Sequence, residues 1–172
     1  MPVSKRMQKK LDRIDYLIDK GYELEKFNLR DYFLLKPFNL STNLELPFPV
    51  IKDNKGNEIN ALFKANAGFS WIAFFFPAVF FFKIREYSFF YFFCFFYIVC
   101  GLFELSYGET YLNNFGNLII GLISGFNFPY IRHINISRNI KERGLFQSIV
   151  LGTLLSLIAI IPYSLIISSL IS

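Results

Sequence analysis

The pattern of apolar and polar positions divides the chain into a mixed first third and a strongly apolar remainder. Residues 1–66 contain twelve Lys or Arg and nine Asp or Glu, whereas residues 67–172 contain six and four. Long apolar stretches with few charges are typical of helices in a lipid bilayer. We therefore predict a cytoplasmic N-terminal region, 1–66, and a membrane domain, 67–172, with apolar segments at 67–82, 88–107, 115–131 and 145–171.

The N-terminal region begins with the periodicity of an amphipathic helix over residues 4–20. Ser4 is a suitable N-cap and Gly21 a suitable end, and one face between them carries Met7, Leu11, Ile14 and Ile18. Basic residues flank this face: Lys5, Arg6, Lys9, Lys10 and Arg13. Such a helix lies on an anionic membrane surface or packs on its own domain, and the pattern leaves both interpretations open.

The rest of this region is interrupted by prolines. Because Pro37, Pro47 and Pro49 cannot continue a helix, residues 31–49 are predicted to be extended or irregular. A turn sequence at 53–56 lies between the apolar stretches 50–51 and 59–63. This arrangement predicts a short β-hairpin.

The first apolar segment opens the most aromatic part of the chain. From Phe69 to Tyr97 there are 17 aromatic residues in 29 positions, 13 of them Phe, more rings than an ordinary soluble domain buries. The segment 67–82 would span only about 24 Å as a straight helix, against a hydrocarbon core of about 30 Å, and Pro77 interrupts it. We predict a re-entrant or interfacial element broken at Pro77.

Charge distribution sets the predicted topology. If all four segments cross from a cytoplasmic N-terminus, Lys83, Arg85 and the basic connector 132–143 lie outside, against the positive-inside rule. If the first segment is re-entrant, both basic connectors are cytoplasmic, and the connector 104–114 is outside. We therefore predict an all-α integral membrane fold with three crossings and an external C-terminus. Four crossings is the alternative.

Two helical faces carry small residues every four positions. They consist of Gly121 and Gly125 in the third segment, and Ser148, Gly152 and Ser156 in the fourth. Because small residues let helix backbones approach closely in lipid, we predict that these two helices pack on each other. A contact between two copies of the chain is the alternative.

Polar residues near the ends of the segments are candidates for function. Asn127, Tyr130 and His133 follow one broad helical face, and they form either a polar constellation or a belt at the lipid headgroups. A lone histidine without carboxylate or thiol companions makes a poor metal site, so neither a metal nor a cofactor is predicted. We interpret Glu104 and Glu109 as members of a solvated loop.

Composition and motifs argue against several function classes. The chain is 53% hydrophobic, its net charge is +5, and its mean hydropathy is +0.38. It contains no Gly-x-Ser-x-Gly elbow, glycine-rich phosphate loop or paired-carboxylate signature, so we predict no enzymatic activity. Its basic residues border apolar segments or alternate with acids, which does not favour nucleic acid as a partner. No uninterrupted apolar run follows the basic N-terminus, so a cleaved signal is not expected.

The aromatic segment also carries a resemblance. Residues 67–76, Ala-Gly-Phe-Ser-Trp-Ile-Ala-Phe-Phe-Phe, followed by Lys-Ile-Arg-Glu-Tyr at 83–87 and the later Asn127-x-x-Tyr130-x-x-His133, resemble a bacterial inner-membrane family catalogued as a domain of unknown function. The chain departs from that pattern at Pro77 and at Arg85-Glu86. The resemblance implies an inner-membrane location and no known activity. The candidate interfacial or functional residues are Trp71, Lys83, Arg85, Asn127, Tyr130 and His133.

These observations favour a non-enzymatic scaffold or accessory subunit of a membrane assembly. Its partners would be the lipid bilayer and other membrane proteins or a second copy of the chain. A small transporter or channel is one alternative. A membrane immunity protein against a pore-forming toxin is another.

Overall fold

A computed structural model of the chain describes residues 4–28, 45–59, 68–107 and 111–171. These residues form two compact units. The sheet unit contains the described residues of Met1–Ser70 and Phe126–Lys141, and the helical unit those of Trp71–Gly125 and Glu142–Ser172. Helices predominate, and the elements in chain order are α1 (Lys5–Asp19), β1 (Glu23–Asn28), β2 (Glu45–Lys52), β3 (Glu58–Ile59), α2 (Trp71–Phe75), α3 (Pro77–Lys83), α4 (Ser88–Tyr107), α5 (Tyr111–Ser137) and α6 (Leu145–Ile171).

Helix α1 forms as its sequence predicts. The Ser4 hydroxyl accepts a hydrogen bond from the Met7 backbone N–H at 3.3 Å, and Gly21, with φ +87°, follows the last turn. Ile14 is almost fully buried in a core with Ile51 and Tyr130. Of the two interpretations of α1, packing of its apolar face on its own domain is therefore the one observed.

The sheet unit contains a three-stranded antiparallel sheet in the order β1-β2-β3. The predicted hairpin is confirmed between β2 and β3, where the Asp53 side chain accepts hydrogen bonds from the Lys55 and Asn57 backbone N–H groups at 2.9 Å. Gly56 adopts a φ of +77° in this turn. Pro47 and Pro49 lie in β2, and residues 29–44 and 60–67 lie outside the described part of the chain.

In the helical unit, α5 runs antiparallel to α4 and α6 runs parallel to it. The Tyr97 hydroxyl of α4 donates to Asn117 Oδ1 of α5 at 2.8 Å. Gly116, which precedes Asn117 in α5, lies close to Cys100, which is three residues after Tyr97 in α4. A step backward along α5 thus corresponds to a step forward along α4, so the two helices are antiparallel. Arg143 meets Tyr87 at the beginning of α6 and α4, and Tyr163 meets Glu104 near their other ends. The two contacts give the parallel direction.

The first apolar segment is broken where the sequence predicts. Helices α2 and α3 are separated by Phe76, whose φ of −131° and ψ of 58° are not helical, and Pro77 begins α3. Because proline has no backbone N–H, it is tolerated in a first helical turn but not in a helix interior. The stacked rings of Phe81 and Phe89, 4.2 Å apart between centroids, join α3 to α4.

The other three segments agree with the sequence to different degrees. Helices α4 and α6 have the predicted bounds, 88–107 and 145–171. Helix α5 is longer than the predicted 115–131, because Ile131 and Ile134 are buried in the sheet unit and continue the helix beyond its apolar stretch. The predicted connector 104–114 is wrong at its start, since α4 continues to Tyr107 and includes Glu104.

One helix of the described residues is long and apolar enough to cross a membrane. It is the Leu145–Ile166 part of α6, with 22 residues and a mean hydropathy of 2.3. Only 11% of its most apolar window is buried within the protein. Ser88–Glu104 in α4 is a shorter apolar helix.

Candidate functional site

The break between α2 and α3 opens onto a cleft of about 390 Å³ in the helical unit. The cleft is bounded by both short helices and by α4, α5 and α6. Most of its wall is aromatic or aliphatic, and the polar exceptions are Asn117, Thr153 and Ser156. The complete lining consists of Phe74, Phe75, Phe76, Pro77, Ala78, Val79, Phe93, Asn117, Ile120, Gly152, Thr153 and Ser156.

Two of the predicted small residues allow the helices around this cleft to approach closely. A Cβ atom at Gly152 would lie 2.9 Å from Val79 N and Cα, and one at Gly121 would lie 2.9 Å from the Phe74 carbonyl oxygen. Both distances are too short for any residue other than glycine without a shift of the backbone. The two glycines thus approach the α2–α3 pair, whereas the sequence predicted that they would bring α5 and α6 together.

The remaining members of the small-residue faces have local roles. The Ser148 and Ser156 hydroxyls donate to the carbonyl oxygens of Gly144 and Gly152, at 2.8 and 2.7 Å. These are bonds within or at the start of α6, which satisfy the hydroxyls without a partner helix. Gly125 is buried in α5.

The basic connectors of the helical unit meet at the start of α6. The Arg143 backbone N–H donates to the Lys83 carbonyl oxygen at 2.8 Å, and Arg143 Nη2 donates to the Tyr87 hydroxyl at 2.6 Å. Lys83 Nζ lies 3.8 Å from Glu142 Oε2. Arg85 adopts a left-handed φ of +59° in the turn between α3 and α4. Both connectors therefore lie on the same side of the helical unit.

Trp71 lies at the exposed start of α2. Its side chain is 65% exposed, and its ring stacks on Phe75 with centroids 6.2 Å apart. An exposed indole supported by other rings is typical of the interface between lipid and water. The cleft lining described above does not include Trp71.

The three polar residues for which the sequence left a constellation or a headgroup belt open have separate environments in the sheet unit. Asn127 is buried, and Tyr130 belongs to the core with Ile14 and Ile51. His133 Nε2 lies 2.6 Å from Asp15 Oδ1 of α1. Asp15 was not predicted, because an acid on the polar face of an amphipathic helix looks solvated in the sequence.

Lys10 of α1 is a partly buried basic residue whose side chain contacts the backbone of Phe69. Its Nζ donates to the Phe69 carbonyl oxygen at 2.6 Å. Burial lowers the pKa of the Lys10 ammonium, and the nearby positive charge of Arg13 lowers it further. Lys10 therefore has a structural role within the sheet unit.

Glu104 is the functional candidate that the sequence misplaced. Its side chain is only 3% exposed, and its Oε2 accepts a hydrogen bond from the Tyr163 hydroxyl at 2.5 Å. Its Oε1 is buried with no hydrogen-bond partner among the described residues. The solvated-loop interpretation is therefore wrong for Glu104, because the last turns of α4 pack on α6. Glu109 lies outside the described residues.

One signal in the sequence pointed to this arrangement. Tyr97, Cys100 and Glu104 are spaced three and four residues apart, so they share one face of a helix that continues past residue 103. In the structure, the Tyr97 and Tyr163 rings lie 6.2 Å apart between centroids. The face therefore brings two tyrosines and a carboxyl group together between α4 and α6.

Comparison with known proteins gives no match among family models, curated proteins or solved structures. Among the described residues, no group of three His, Cys, Asp or Glu side chains is placed to hold a metal ion. The family resemblance of the aromatic segment stays a prediction. Function is therefore inferred from the geometry of the chain itself.

Proposed function

We propose that the chain is a small multi-pass protein of a bacterial inner membrane that acts as a non-enzymatic scaffold or accessory subunit of a membrane assembly. The observation that carries this proposal is the surface of α6. Only 11% of its apolar window is buried, and exposed large side chains recur from Leu145 to Leu165. A core helix of a soluble protein would bury this face.

The energetic preference for lipid is large. Full burial of one large aliphatic side chain is worth roughly 1.5–3 kcal/mol relative to exposure in water. Nine such side chains of α6 are exposed, so the transfer of this helix to hydrocarbon is strongly favourable. Exposed rings such as Phe95 of α4 and Phe115 of α5 add to the same preference.

The buried side chains of the helical unit include polar groups, whereas its exposed side chains are largely apolar. Glu104, Ser124 and Ser148 are buried inside the helical unit, while large apolar side chains cover its outside. In water this distribution would be unfavourable on both counts, whereas in a bilayer the polar groups avoid hydrocarbon by facing other helices. It supports a lipid environment for the whole unit rather than for α6 alone.

Contacts of α3, the second helix of the first apolar segment, support a re-entrant element. The Lys83 carbonyl contacts Arg143 just before α6, so α3 ends on the side where α6 begins. Val79 faces Gly152, which is seven residues, or about 10 Å, along α6. Helix α3 thus runs toward the side of the basic connectors as the chain advances.

Contacts of α2, the first helix of that segment, support the opposite direction of the chain, away from the basic connectors. Asn117 contacts Tyr97, which is nine residues, or about 13 Å, along α4 from that same side. Gly121 is four residues further along the antiparallel α5, and is therefore about 6 Å closer to the side of the connectors. Phe74 faces Gly121, so it lies no deeper than Val79. The two depths support a re-entrant α2–α3 pair whose deepest point lies between Phe74 and Val79, near Pro77. The crossings are then made by α4, α5 and α6, three in all.

The scaffold role is supported by the exposed face of α1. Leu11 and Ile14 pack inward, whereas Lys5, Arg6, Lys9 and Arg13 are exposed on the sheet unit. A fixed cluster of positive charge attracts acidic surfaces and speeds association with them. In the proposed topology this face is cytoplasmic and available to an acidic partner protein.

A small transporter or channel is a second candidate, favoured by one observation. Glu104 is a buried carboxyl group inside a unit with an apolar exterior, and such residues often mark proton or ion paths.

Alkaline extraction and affinity capture test the proposed function. The protein is expected to stay in the membrane pellet after carbonate treatment, and to co-purify reproducibly with other membrane proteins after gentle solubilisation. A variant with Lys5, Arg6, Lys9 and Arg13 replaced by glutamate should stay in the pellet but lose these partners. Release by carbonate would contradict the membrane placement, and recovery of wild type alone as a monomer would contradict the scaffold role.

A further inference from the structure

The carboxyl group of Glu104 has one hydrogen bond and one oxygen without a partner. Tyr163 of α6 donates to Oε2, whereas Oε1 is buried and has no partner among the described residues. A carboxylate has about four lone-pair sites and is stabilised when several donors occupy them. One hydroxyl donor therefore gives only weak stabilisation to a full negative charge on the Glu104 carboxylate.

The charges around Glu104 do not compensate for its burial. In the described parts of the chain, no Lys, Arg or His side chain forms an ion pair with it. The titratable groups that share its surroundings are Tyr163 on α6 and Cys100 and Tyr97 on its own helix, while α5 contributes the neutral Asn117 beside Tyr97. All of these are uncharged in their ordinary states at neutral pH.

We propose that Glu104 is a proton-binding site inside the helical unit. A proton adds to a lone pair of Oε1 and forms an O–H bond, the carboxylate becomes a neutral carboxylic acid, and Oε2 remains the carbonyl oxygen that accepts from Tyr163. Release returns the proton to water and restores the carboxylate, so charge and atoms balance in both directions. This inference rests on the proposed placement of the helical unit in lipid, which makes an unpaired charge costly.

The geometry favours a proton over a metal ion. Hard cations such as Mg²⁺ and Ca²⁺ require about six or more oxygen ligands. The described surroundings of Glu104 supply the two carboxyl oxygens and the Tyr163 hydroxyl, which is already bonded to one of them. A proton needs only the free lone pair on Oε1.

A chain of side-chain contacts connects this site with the cleft at Pro77. The Tyr163 ring contacts the Tyr97 ring, and the Tyr97 hydroxyl donates to Asn117 Oδ1 at 2.8 Å. Asn117 lines the cleft. The cleft is therefore the side from which we expect water to exchange protons with Glu104.

Infrared spectroscopy of the purified full chain in lipid vesicles tests the proposal directly. Wild type is expected to show the carbonyl stretching band of a protonated carboxylic acid at low pH and to lose it when the proton is released at higher pH. Glu104→Gln should lack this band. Tyr163→Phe should keep the band at higher frequency, because the carbonyl oxygen loses its hydrogen bond. A purely structural glutamate would produce neither the pH dependence nor the frequency shift.

Glu86 provides the matched control. It is as buried as Glu104, but its Oε1 accepts a hydrogen bond from the Ser88 hydroxyl at 2.5 Å. Glu86→Gln should leave the band unchanged. If Glu104→Gln does not fold, the wild-type titration and Tyr163→Phe still decide the matter.

The proposal is overturned if the wild-type band is absent at every pH, is independent of pH, or persists in Glu104→Gln. Carbonate extraction separates this failure from that of the membrane placement. A protein that stays in the membrane but lacks the band refutes the proton site alone.

Discussion

Replacement of Leu157 by lysine is expected to prevent α6 from crossing the membrane in most copies of the protein. Leu157 lies near the middle of α6 and is 61% exposed, so its side chain faces lipid in the proposed placement. A lysine at the centre of a membrane helix costs about 2.5–3.5 kcal/mol for insertion, and the favourable contribution of leucine is lost as well. The equilibrium constant for insertion of α6 should fall by about a hundredfold, measured as the loss of chains whose C-terminus, marked by a reporter after Ser172, reaches the outside.

Phe146→Lys is the matched control. Phe146 is 78% exposed, but it is the second residue of α6, next to the basic connector. A lysine at this depth can extend its ammonium group to the headgroups, so insertion should be nearly unchanged. If instead α6 faces water, Leu157→Lys will accumulate as a folded soluble protein at the wild-type level, which would contradict the proposed placement.

Gly152→Val is expected to cause the largest loss of stability within the helical unit. The new Cβ would lie 2.9 Å from backbone atoms of Val79, so α3 must move away from α6. Overpacking of this kind costs about 1–3 kcal/mol, and a backbone contact cannot yield by a change of rotamer. A loss of about 2 kcal/mol should lower the melting temperature in detergent by about 4–8 °C.

Thr153→Val controls for the introduction of valine into this part of α6. Thr153 is the next residue, lines the cleft and is exposed, so a side chain of the same shape meets no backbone. Its melting temperature should lie within about 2 °C of wild type. Equal melting of wild type and Gly152→Val would mean that α3 does not pack on α6 at this position.

The features that the sequence predicted well depend on neighbouring residues. Ser4 caps α1, Asp53 closes the hairpin turn and Pro77 breaks the aromatic segment, because each of these effects acts within about four residues. The bounds of α4 and α6 also follow from local hydropathy. The sequence therefore sufficed for most helices and for the turn.

The features that it did not predict depend on distant residues. Strand β1 pairs with β2 more than twenty residues later, and its own pattern carries little strand signal. Glu104 is buried only because Tyr163, on another helix, meets it. Gly121 and Gly152 were recognised as sites of close approach, but the partner helix was not, since a small-residue face does not specify what covers it.

The same distinction applies to the three polar residues near the end of the third segment. The three-residue spacing of Asn127, Tyr130 and His133 placed them on one broad face, yet Tyr130 faces the core and His133 faces Asp15. Helical periodicity gives the direction of a side chain but not the element that packs there. Tyr130 therefore belongs to the core, and His133 is a hydrogen-bond partner of Asp15.

A reporter fused after Ser172 tests the central claim most directly, because three and four crossings place the C-terminus on opposite sides of the membrane. With the basic connectors at 83–87 and 142–143 in the cytoplasm, an odd number of crossings by α4, α5 and α6 leaves the C-terminus outside. A reporter that is active only outside the cytoplasm is the predicted result. Activity only in the cytoplasm would contradict the re-entrant α2–α3 pair and favour four crossings.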